Sequence, residues 1–286
     1  MYINGTISPF QYLGGKYSCL PWLLPLLPQT KSFVDVFGGS ATVILNKEPS
    51  QINTYNDING IVVNFFQELR NNPEELIKLI ELTPHSRYEY ENAWITSEIQ
   101  SIVSNAELAR RFFVRTRQSF MATGAQKNKK GWLSATKETR VGMSEATSKW
   151  LNSIEMLQMV VERLKQIQVE NRGYQYIFKH YDTPESLLYC DPPYDDELRS
   201  SGNDYAHDFT EADHLELHSL ASHAKGLVAV SGYNSEFMMD LYSNFQLTMG
   251  PERKNNYSKR KAAHECLWTN YDPAKAVMGQ LNIFEQ

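Results

Sequence analysis

Cysteines are few and long hydrophobic runs are missing in this sequence, and both absences exclude whole classes of protein. The 286 residues include three cysteines, Cys19, Cys190 and Cys266, and none of them belongs to a CxxC pair. Three isolated cysteines exclude a disulfide-rich secreted scaffold and a zinc ribbon, and they favour a reducing compartment. No apolar stretch approaches the roughly 20 residues that a membrane-spanning helix requires. We therefore expect a globular, cytoplasmic protein that does not span a membrane.

An excess of positive charge is also missing. The chain has 28 Lys and Arg against 33 Asp and Glu, which gives a net charge of −5. This balance argues against a protein that holds nucleic acid by electrostatics alone. The charge is unevenly distributed, however: the segment from Arg110 to Lys149 contains ten basic residues and only two acidic ones, Glu138 and Glu145. This basic segment is a candidate polyanion surface, and a solvated helix face followed by a loop is the alternative.

Strand-like apolar runs and helical periodicities alternate along the chain. From about residue 58 to residue 167 the pattern is mainly helical, although residues 122–140, rich in Gly, Lys, Asn and Ser, are typical of a loop. Strand–helix alternation on both sides of a helical segment predicts an open α/β sheet with an inserted helical domain. The predicted strands cover residues 31–37, 52–56, 176–178, 187–190, 227–230, 245–248 and 266–269.

A glycine turn follows the first predicted strand. Asp35, Phe37 and Gly39 stand at its end, and Asp57 follows 22 residues after Asp35. Glycines at such a place let the backbone turn sharply and approach a ligand closely. An acidic residue about 20 residues beyond the turn can accept hydrogen bonds from ribose hydroxyls. Because the pattern is not GxGxxG, it favours an adenosine-type ligand but leaves a plain strand–turn–helix open.

The most specific motif is Asp191-Pro192-Pro193-Tyr194, directly after the apolar run 187–190. Prolines cannot donate to a sheet ladder, so the strand must end there. The Asp191 carboxylate and a backbone carbonyl can accept the two N–H groups of an exocyclic amine, and Tyr194 can stack on the heterocycle that bears it. A rigid turn would explain the prolines but not the flanking Asp and Tyr. The motif therefore predicts a site for an aromatic amine.

With these motifs in this order, the sequence resembles the Dam-like (D12 class, α-group) N6-adenine-specific DNA methyltransferases. The resemblance covers about residues 8 to 271 and is weakest in the helical segment. It implies an α/β fold with the Rossmann-like mixed sheet of a class I methyltransferase. In this fold, residues 1–59 and 169–286 form the catalytic domain and residues 60–168 an inserted, mainly helical target-recognition domain. The segments that carry the resemblance are PFQYLGGK (9–16), DVFGGS (35–40), NDIN (56–59), DPPY (191–194), NYSKRK (256–261) and ECLWTNY (265–271).

The resemblance also implies a reaction and its residues. The methyl group of S-adenosyl-L-methionine would pass to N6 of a flipped adenine in duplex or single-stranded DNA, by in-line displacement and without a metal. The resemblance implies a prokaryotic or phage-encoded enzyme, and it leaves open whether its role is restriction–modification, regulation or protection of phage DNA. The implied catalytic residues are Asp191, Pro192, Pro193 and Tyr194. The implied cofactor-binding residues are Tyr12, Gly15, Lys16, Asp35, Phe37, Gly39, Asp57 at the ribose, Asp182 near the cofactor adenine, and Asp191.

By the same resemblance, the helical segment reads DNA. Residues 110–118 alternate cationic with apolar side chains, as on a helix with one packed face, and residues 124–130 form a basic loop that can follow phosphates. Arg117 and Gln118 are base-edge candidates, because Arg pairs with guanine and Gln with adenine. The family's Asn-Gly-Leu stretch is missing, which leaves the recognised sequence open. The DNA-binding candidates are Arg111, Arg115, Arg117, Gln118, Lys127, Lys129, Lys130, Lys259, Arg260 and Lys261, each with helix packing or solvation as the alternative.

Two weaker patterns remain. His214 and His218 stand four apart, but no third ligand follows, so we expect surface histidines and no metal. Near the end of the sequence, the residues Gln280, Leu281, Ile283 and Phe284 resemble the peptide by which bacterial replication proteins dock on the sliding clamp. A packing tail or a strand is the alternative for these residues.

Other functions of the same scaffold stay open. A related enzyme could methylate adenine N6 in RNA, cytosine N4 or a protein amide, and Asp before Pro-Pro-Tyr favours adenine only through the resemblance. A non-catalytic DNA-binding protein is the second alternative. Such a protein would be expected to have lost Asp57, Asp191, Tyr194 or the glycine turn, yet all are present. The sequence therefore predicts a DNA adenine methyltransferase, with RNA as the open alternative substrate.

Overall fold

The computed structural model describes residues 5–12, 14–120, 131–193, 209–253 and 263–276. Two short 3-10 helices, Tyr17–Cys19 and Leu24–Leu26, flank the first α-helix. The helices are α1 Leu20–Leu23, α2 Thr42–Asn46, α3 Gly60–Asn71, α4 Pro73–Glu81, α5 Arg87–Asn92, α6 Ser97–Ile102, α7 Asn105–Arg117, α8 Glu145–Glu155, α9 Leu157–Leu164, α10 Tyr174–Tyr181, α11 Glu211–Ser222 and α12 Glu236–Leu241. The strands are β1 Ser32–Asp35, β2 Ile52–Asn56, β3 Thr139–Arg140, β4 Met143–Ser144, β5 Gln168–Glu170, β6 Ser186–Cys190, β7 Leu227–Tyr233, β8 Gln246–Arg253 and β9 Ala263–Thr269.

Seven strands form one mixed sheet in the order β5-β2-β1-β6-β7-β9-β8. The strands β5, β2, β1, β6 and β7 are parallel, whereas β9 runs antiparallel to both β7 and β8. Every residue of β1 and β6 is buried, as expected for central strands that are covered on both faces. The predicted α/β fold with a mixed sheet is confirmed.

The strand order reverses between β1 and β6. From β1 the chain continues outward to β2 on one side, and it later returns to β6 on the other side of β1. A crevice opens at such a switch point, outside the carboxyl ends of the strands. Asp35 is the last residue of β1 and is in register with Tyr189 of β6, which places the following Asp191 at the same edge. The topology therefore brings two motifs that are distant in sequence to one crevice.

The helical segment packs on the sheet through α3. Phe65 of α3 stacks on Phe113 of α7 at a centroid distance of 5.6 Å, and its neighbour Phe66 meets Tyr55 of β2 at 4.9 Å. These rings belong to one hydrophobic cluster that includes both helices and strands. Helices and sheet therefore share a core, while the domain division at residues 60 and 168 stays a prediction. None of the described helices is long and apolar enough to cross a membrane.

Two secondary-structure predictions need correction. Residues 176–178 were expected as a strand but lie inside α10. Buried Tyr174, Ile177 and Phe178 are spaced three and four residues apart, which is the period of a helix face, so the aromatic content misled the assignment. The second correction is a strand that the sequence did not predict. This strand, β5, is only three residues long, Gln168–Glu170, and pairs with β2. Its sequence has no apolar run, and pairing with the edge of β2 determines its conformation.

Candidate active site

A cleft of about 360 Å³ opens at the carboxyl ends of β1, β2 and β6. Its volume lies in the range of about 300 to 1,000 Å³ that is typical of small-molecule sites. Ten residues predicted from the sequence line it together: Tyr12, Gly15, Lys16, Asp35, Phe37, Gly39, Asp57, Asp191, Pro192 and Pro193.

The glycine turn brings Asp57 against the end of β1. The Gly39 N–H donates to Asp57 Oδ2 at 2.8 Å, and the Asn59 N–H donates to Asp57 Oδ1 at 2.8 Å. Gly39 has φ +49°, and a Cβ at this position would lie 3.1 Å from the ring of Tyr12. Glycine is therefore required both for the left-handed backbone and for the close approach of Tyr12. Main-chain donors hold the Asp57 carboxylate at the wall of the cleft.

Asp35 is a buried acid at the centre of the cleft. Its side chain is 1% exposed, and its Oδ2 accepts no hydrogen bond from the described residues. The pKa of Asp35 is raised well above its ordinary value, first by burial and then by the negative charge of Asp191. A cationic group of a ligand beside this carboxyl would favour its ionised form.

Asp191 is held from two sides. Lys16 Nζ donates to Asp191 Oδ1 at 2.6 Å, and Ser231 Oγ of β7 donates to the same oxygen at 2.8 Å. Lys16 is itself buried and lies 3.0 Å from Glu265 Oε1 of β9. Burial raises the pKa of Asp191, whereas the Lys16 charge lowers it. The carboxyl group after β6 is therefore fixed in the crevice by partners from three other parts of the chain.

Sequence reasoning missed an aromatic wall of the cleft. Phe37 packs against Tyr174 at 5.8 Å and against Phe209 at 5.5 Å, measured between ring centroids. The Tyr174 hydroxyl donates to Glu216 Oε2 at 2.7 Å, which anchors α10 to α11. A signal was present in the helical spacing that begins at Tyr174, but residues 176–178 had been assigned to a strand. These rings offer an apolar surface that suits a flat heterocycle.

The structure contradicts a cofactor role for Asp182. Its carboxylate accepts hydrogen bonds from the Lys225 N–H at 2.9 Å and from the Gly226 N–H at 2.8 Å, directly before β7. Asp182 also stands just before β6, so it lies at the amino ends of the strands. The cleft lies at the carboxyl ends, on the opposite edge of the sheet. Asp182 is only nine residues from Asp191 in the sequence, but β6 lies between them and places the two carboxylates at opposite ends of the strand.

The arginines of α7 do not form the open basic face that the sequence predicted. Arg111 Nε lies 2.7 Å from Glu107 Oε1, and its Nη1 donates to the carbonyl of Asn92, the last residue of α5, at 2.5 Å. Arg115 is buried, with its guanidinium 5.0 Å from the ring centre of Trp94. Burial lowers the pKa of Arg115 to about 10. These two residues are committed to packing within the helical segment, and the prediction that they hold phosphates is wrong for them.

The end of α7 also has a structural role. Gln118 is 0% exposed, and its side-chain amide accepts from the Ser86 N–H at 3.0 Å and donates to the Pro84 carbonyl at 3.1 Å. A buried amide cannot read a base edge, so this prediction is wrong for Gln118. Arg117 donates to the Ser8 carbonyl at 3.1 Å and thereby ties α7 to the chain that leads into the cleft.

The described residues show only the base of the basic loop. The Phe120 N–H donates to the Gly131 carbonyl at 2.7 Å, and the Leu133 N–H to the Gln118 carbonyl at 2.8 Å, so the chain leaves and returns as an antiparallel pair. Several predicted residues lie outside the described residues, and the predictions about them stay predictions: Lys127, Lys129, Lys130, Tyr194, Lys259, Arg260, Lys261, Gln280, Leu281, Ile283 and Phe284.

Of the two histidines on α11, His214 is buried, against expectation. Its ring packs edge-on against Phe209 at 4.7 Å and Phe237 at 5.9 Å. The His218 Nε2 lies 3.1 Å from the Asn244 side-chain oxygen. Within the described ranges, no group of three or more His, Cys, Asp or Glu side chains is arranged to hold a metal ion.

Comparisons with known proteins find methyltransferases that are similar to this chain. The Type II methyltransferase M1.LlaDCHI of Lactococcus lactis subsp. cremoris is 24% identical over 288 residues, which cover 93% of this chain and 96% of that protein. The Modification methylase StsI of Streptococcus sanguinis is 36% identical over 75 residues, so the match spans 26% of this chain and only 11% of that protein.

Among solved structures, a methylase of Haemophilus influenzae aligns with 92% of this chain and 90% of its own, at 11% identity and a TM-score of 0.32. That similarity is too low to carry an argument. The model of the D12 class N6 adenine-specific DNA methyltransferases, in contrast, matches residues 12–256. Because this match extends over most of the chain and includes every motif that lines the cleft, the protein belongs to the D12 class N6 adenine-specific DNA methyltransferases.

Proposed function

We propose that the protein transfers the methyl group of S-adenosyl-L-methionine to N6 of adenine in DNA, in the cytoplasm of a prokaryote or a phage host. Membership of the family supports adenine methylation of DNA in general. The observation that carries the finer proposal is the position of Asp191, whose carboxyl group lies at the switch-point crevice beside Asp35 and in the same cleft as Asp57.

The residues of the cleft fit the cofactor. When bound, S-adenosyl-L-methionine supplies a methyl group on a positively charged sulfonium sulfur. Asp57 gives the cleft negative charge, and Asp35, whose Oδ2 accepts no hydrogen bond from the described residues, would ionise more readily beside a cationic ligand. Asp57 is placed to accept from ribose hydroxyls, and the rings of Phe37 and Tyr174 offer a surface for adenine.

Asp191 and the Pro192 carbonyl act on the target amine. They accept its two N–H groups, and this directs the nitrogen lone pair away from the ring and toward the methyl donor. N6 would bond to the methyl carbon as the carbon–sulfur bond breaks, and the proton that N6 then loses would pass to Asp191. A stacked adenine cannot bring N6 into a buried cleft, so the target base must be flipped out of the helix. The residues contribute position and electrostatics rather than covalent chemistry. The raised pKa of Asp191, caused first by burial, suits a strong hydrogen-bond acceptor.

A transfer assay with labelled cofactor tests this proposal. Duplex DNA, single-stranded DNA and RNA are compared as substrates, and the modified atom is identified by mass spectrometry. We expect N6-methyladenine in DNA, and we expect Asp191→Asn to lower kcat by about 100-fold or more while cofactor binding persists. A fully active Asp191→Asn variant would overturn the mechanism, and methylation of RNA alone would overturn the substrate.

DNA contacts are proposed at the loop between residues 120 and 131, since the described part of α7 is committed to packing. Lys127, Lys129 and Lys130 would neutralise phosphates there, and Lys259, Arg260 and Lys261 would form a second patch. The plot of log affinity against log salt concentration has a negative slope, and each lost phosphate contact should make that slope less steep by about 0.9. The triple variant Lys127→Ala, Lys129→Ala, Lys130→Ala is compared with Lys165→Ala, an exposed residue paired with Glu162. An unchanged slope in the triple variant would exclude this loop.

Docking on a sliding clamp through Gln280, Leu281, Ile283 and Phe284 rests on sequence similarity alone. Deletion of residues 281–286 should abolish binding to purified clamp and leave methylation of short DNA unchanged. Absence of binding by the full chain would remove the proposal.

A further inference from the structure

We propose that Glu265 is a positioning residue of the methyl transfer, which holds Lys16 between two carboxylates and thereby keeps Asp191 a strong acceptor for the target amine. This inference rests on the proposed function of Asp191. It adds a residue that lies at the antiparallel end of the sheet, far in sequence from the Asp-Pro-Pro-Tyr motif.

The geometry is that of one cation shared by two anions. Lys16 Nζ lies 2.6 Å from Asp191 Oδ1 and 3.0 Å from Glu265 Oε1. The Lys16 and Glu265 side chains are 1% and 0% exposed, so water cannot screen these charges. Three separate parts of the chain supply the group, since Lys16 precedes α1, Asp191 follows β6 and Glu265 lies on β9.

A structural role alone does not require the charge of Glu265. Buried Lys16 and Asp191, whose side chain is 17% exposed, already form a pair in which the two charges compensate each other. The fully buried carboxylate of Glu265 makes the group negative overall, and desolvation of that additional charge is unfavourable. A neutral glutamine could accept from Lys16 Nζ in the same place. The charge is therefore explained by what it does to Lys16 and Asp191.

The consequence for Asp191 follows from electrostatics. Without the Glu265 charge, Lys16 would compensate Asp191 alone, and the carboxylate would accept hydrogen bonds from the amine more weakly. In agreement with this, the negative charge of Glu265 raises the pKa of Asp191, while Lys16 lowers it. Among the described residues, the charged and titratable groups around Asp191 include Lys16, Glu265 of β9, Asp35 of β1, and Tyr189 and Cys190 of β6, with Ser231 of β7 as a neutral donor.

The test is the pH profile of kcat for Glu265→Gln, measured with labelled cofactor and duplex DNA. We expect kcat to fall about tenfold and its acid limb to move to lower pH, with the KM for the cofactor within about twofold of that of the unmodified protein. The matched control is Glu252→Gln, an exposed glutamate on the neighbouring strand β8, which should leave both kcat and the profile unchanged.

A second variant keeps the test decisive if Glu265→Gln does not fold. Glu265→Asp retains the charge but withdraws it from Lys16, so the acid limb should move in the same direction by a smaller amount. A folded variant of either kind with the original kcat and acid limb would overturn the inference. If the unmodified protein transfers no methyl group, or if Asp191→Asn stays active, the proposed function fails instead, and the two failures are thus distinguishable.

Discussion

Asp35 shows how burial of a single acid makes the stability of the protein depend on pH. Its pKa is raised, first by burial, so the folded state binds the proton more tightly than the unfolded chain does. The stability contribution is therefore fully present below the ordinary pKa of aspartate and is lost as the pH rises toward the raised value. Without ligand, the folded protein at neutral pH either retains this proton or bears an unfavourable charge.

We predict that Asp35→Asn makes the ligand-free protein more stable at neutral pH but weakens cofactor binding. The asparagine removes the unfavourable ionisation, yet it cannot offer a full negative charge to a cationic ligand. Loss of a hydrogen bond to a charged group costs roughly 1.5–3 kcal/mol, or about tenfold or more in affinity. Thermal unfolding from pH 5 to 8 and calorimetric titration with the cofactor measure both effects. Unchanged affinity would show that Asp35 does not contact the ligand.

Val141 is the clearest strained residue in the described part of the chain. It forms a two-residue turn with Gly142 between β3 and β4, and its φ of +52° lies in the left-handed region. A β-branched side chain is disfavoured there by about 1–2 kcal/mol, whereas asparagine tolerates this conformation. Val141 is 82% exposed, so its side chain contributes little packing in return.

Replacement of Val141 by asparagine should therefore stabilise the protein by about 1 kcal/mol. Urea unfolding of the purified variant measures the change. The control is Leu82→Asn, which alters an equally exposed apolar residue whose φ of −74° is ordinary. An equal gain in both variants would show that removal of an exposed apolar side chain, and not relief of the backbone conformation, causes the stabilisation.

At the scale of elements, Asp182 determines how β7 begins. Its carboxylate receives the N–H groups of Lys225 and Gly226, and the close approach of the two chain segments leaves no space for a Cβ at Gly226, which would lie 2.4 Å from Ser186 Oγ. The same residue that the sequence placed near the cofactor thus joins the amino ends of β6 and β7.

The variant Asp182→Ala distinguishes the structural role of Asp182 from the role in cofactor binding that the sequence predicted. It should lower the free energy of unfolding by about 1–3 kcal/mol, because the Gly226 N–H loses its partner in a buried position. The affinity for the cofactor should stay the same, since the cleft lies at the other edge of the sheet. Chemical denaturation and calorimetric titration provide the two readouts, and a large loss of affinity in a stable variant would restore the original assignment.

The helix α7 shows why a basic sequence is not always a basic surface. Arg110 and Arg111 both pair with Glu107, one helical turn away, and Arg115 lies against Trp94. A count of charges along the chain could not reveal these partners, because Trp94 lies in the connection between α5 and α6 and Glu107 precedes the basic segment. We therefore propose DNA contacts for the segment between Phe120 and Gly131 rather than for α7.

At the scale of the whole molecule, the helical segment and the sheet share one core. Phe65 of α3 lies at its centre, 5.4 Å from Phe10 and 5.8 Å from Phe112. These rings join the chain that enters the cleft to the middle of α7. A shared core predicts that helices and sheet unfold together rather than as separate domains.

We predict that Phe65→Ala destabilises the entire molecule by about 3–5 kcal/mol, the usual cost of removing a buried aromatic ring. Circular dichroism and tryptophan fluorescence should report the same single transition, since Trp150 probes the helices and Trp268 probes the sheet. Two separate transitions, with only the helical one displaced, would instead support two independent domains.

The sequence by itself was sufficient to predict which acidic residues line the cleft at the carboxyl ends of the strands. Asp35, Asp57 and Asp191 could be located because a glycine turn and a pair of prolines are local signals, and because parallel strands end at one edge of the sheet. The short strand β5 and the helix α10 could not be assigned as reliably, since their conformation depends on pairing with β2 and on packing against α11.

Only the tertiary structure decided which charged side chains are available for chemistry. Lys16 lies beside Glu265, although nearly the whole length of the chain separates them, and Asp182 lies at the edge of the sheet opposite the cleft. Arg110 and Arg115 of α7 contact Glu89 and Trp94, outside their own helix. Such partnerships arise between distant segments, and no local pattern of residues encodes them. Burial strengthens these interactions, because two charges interact more strongly where water does not surround them.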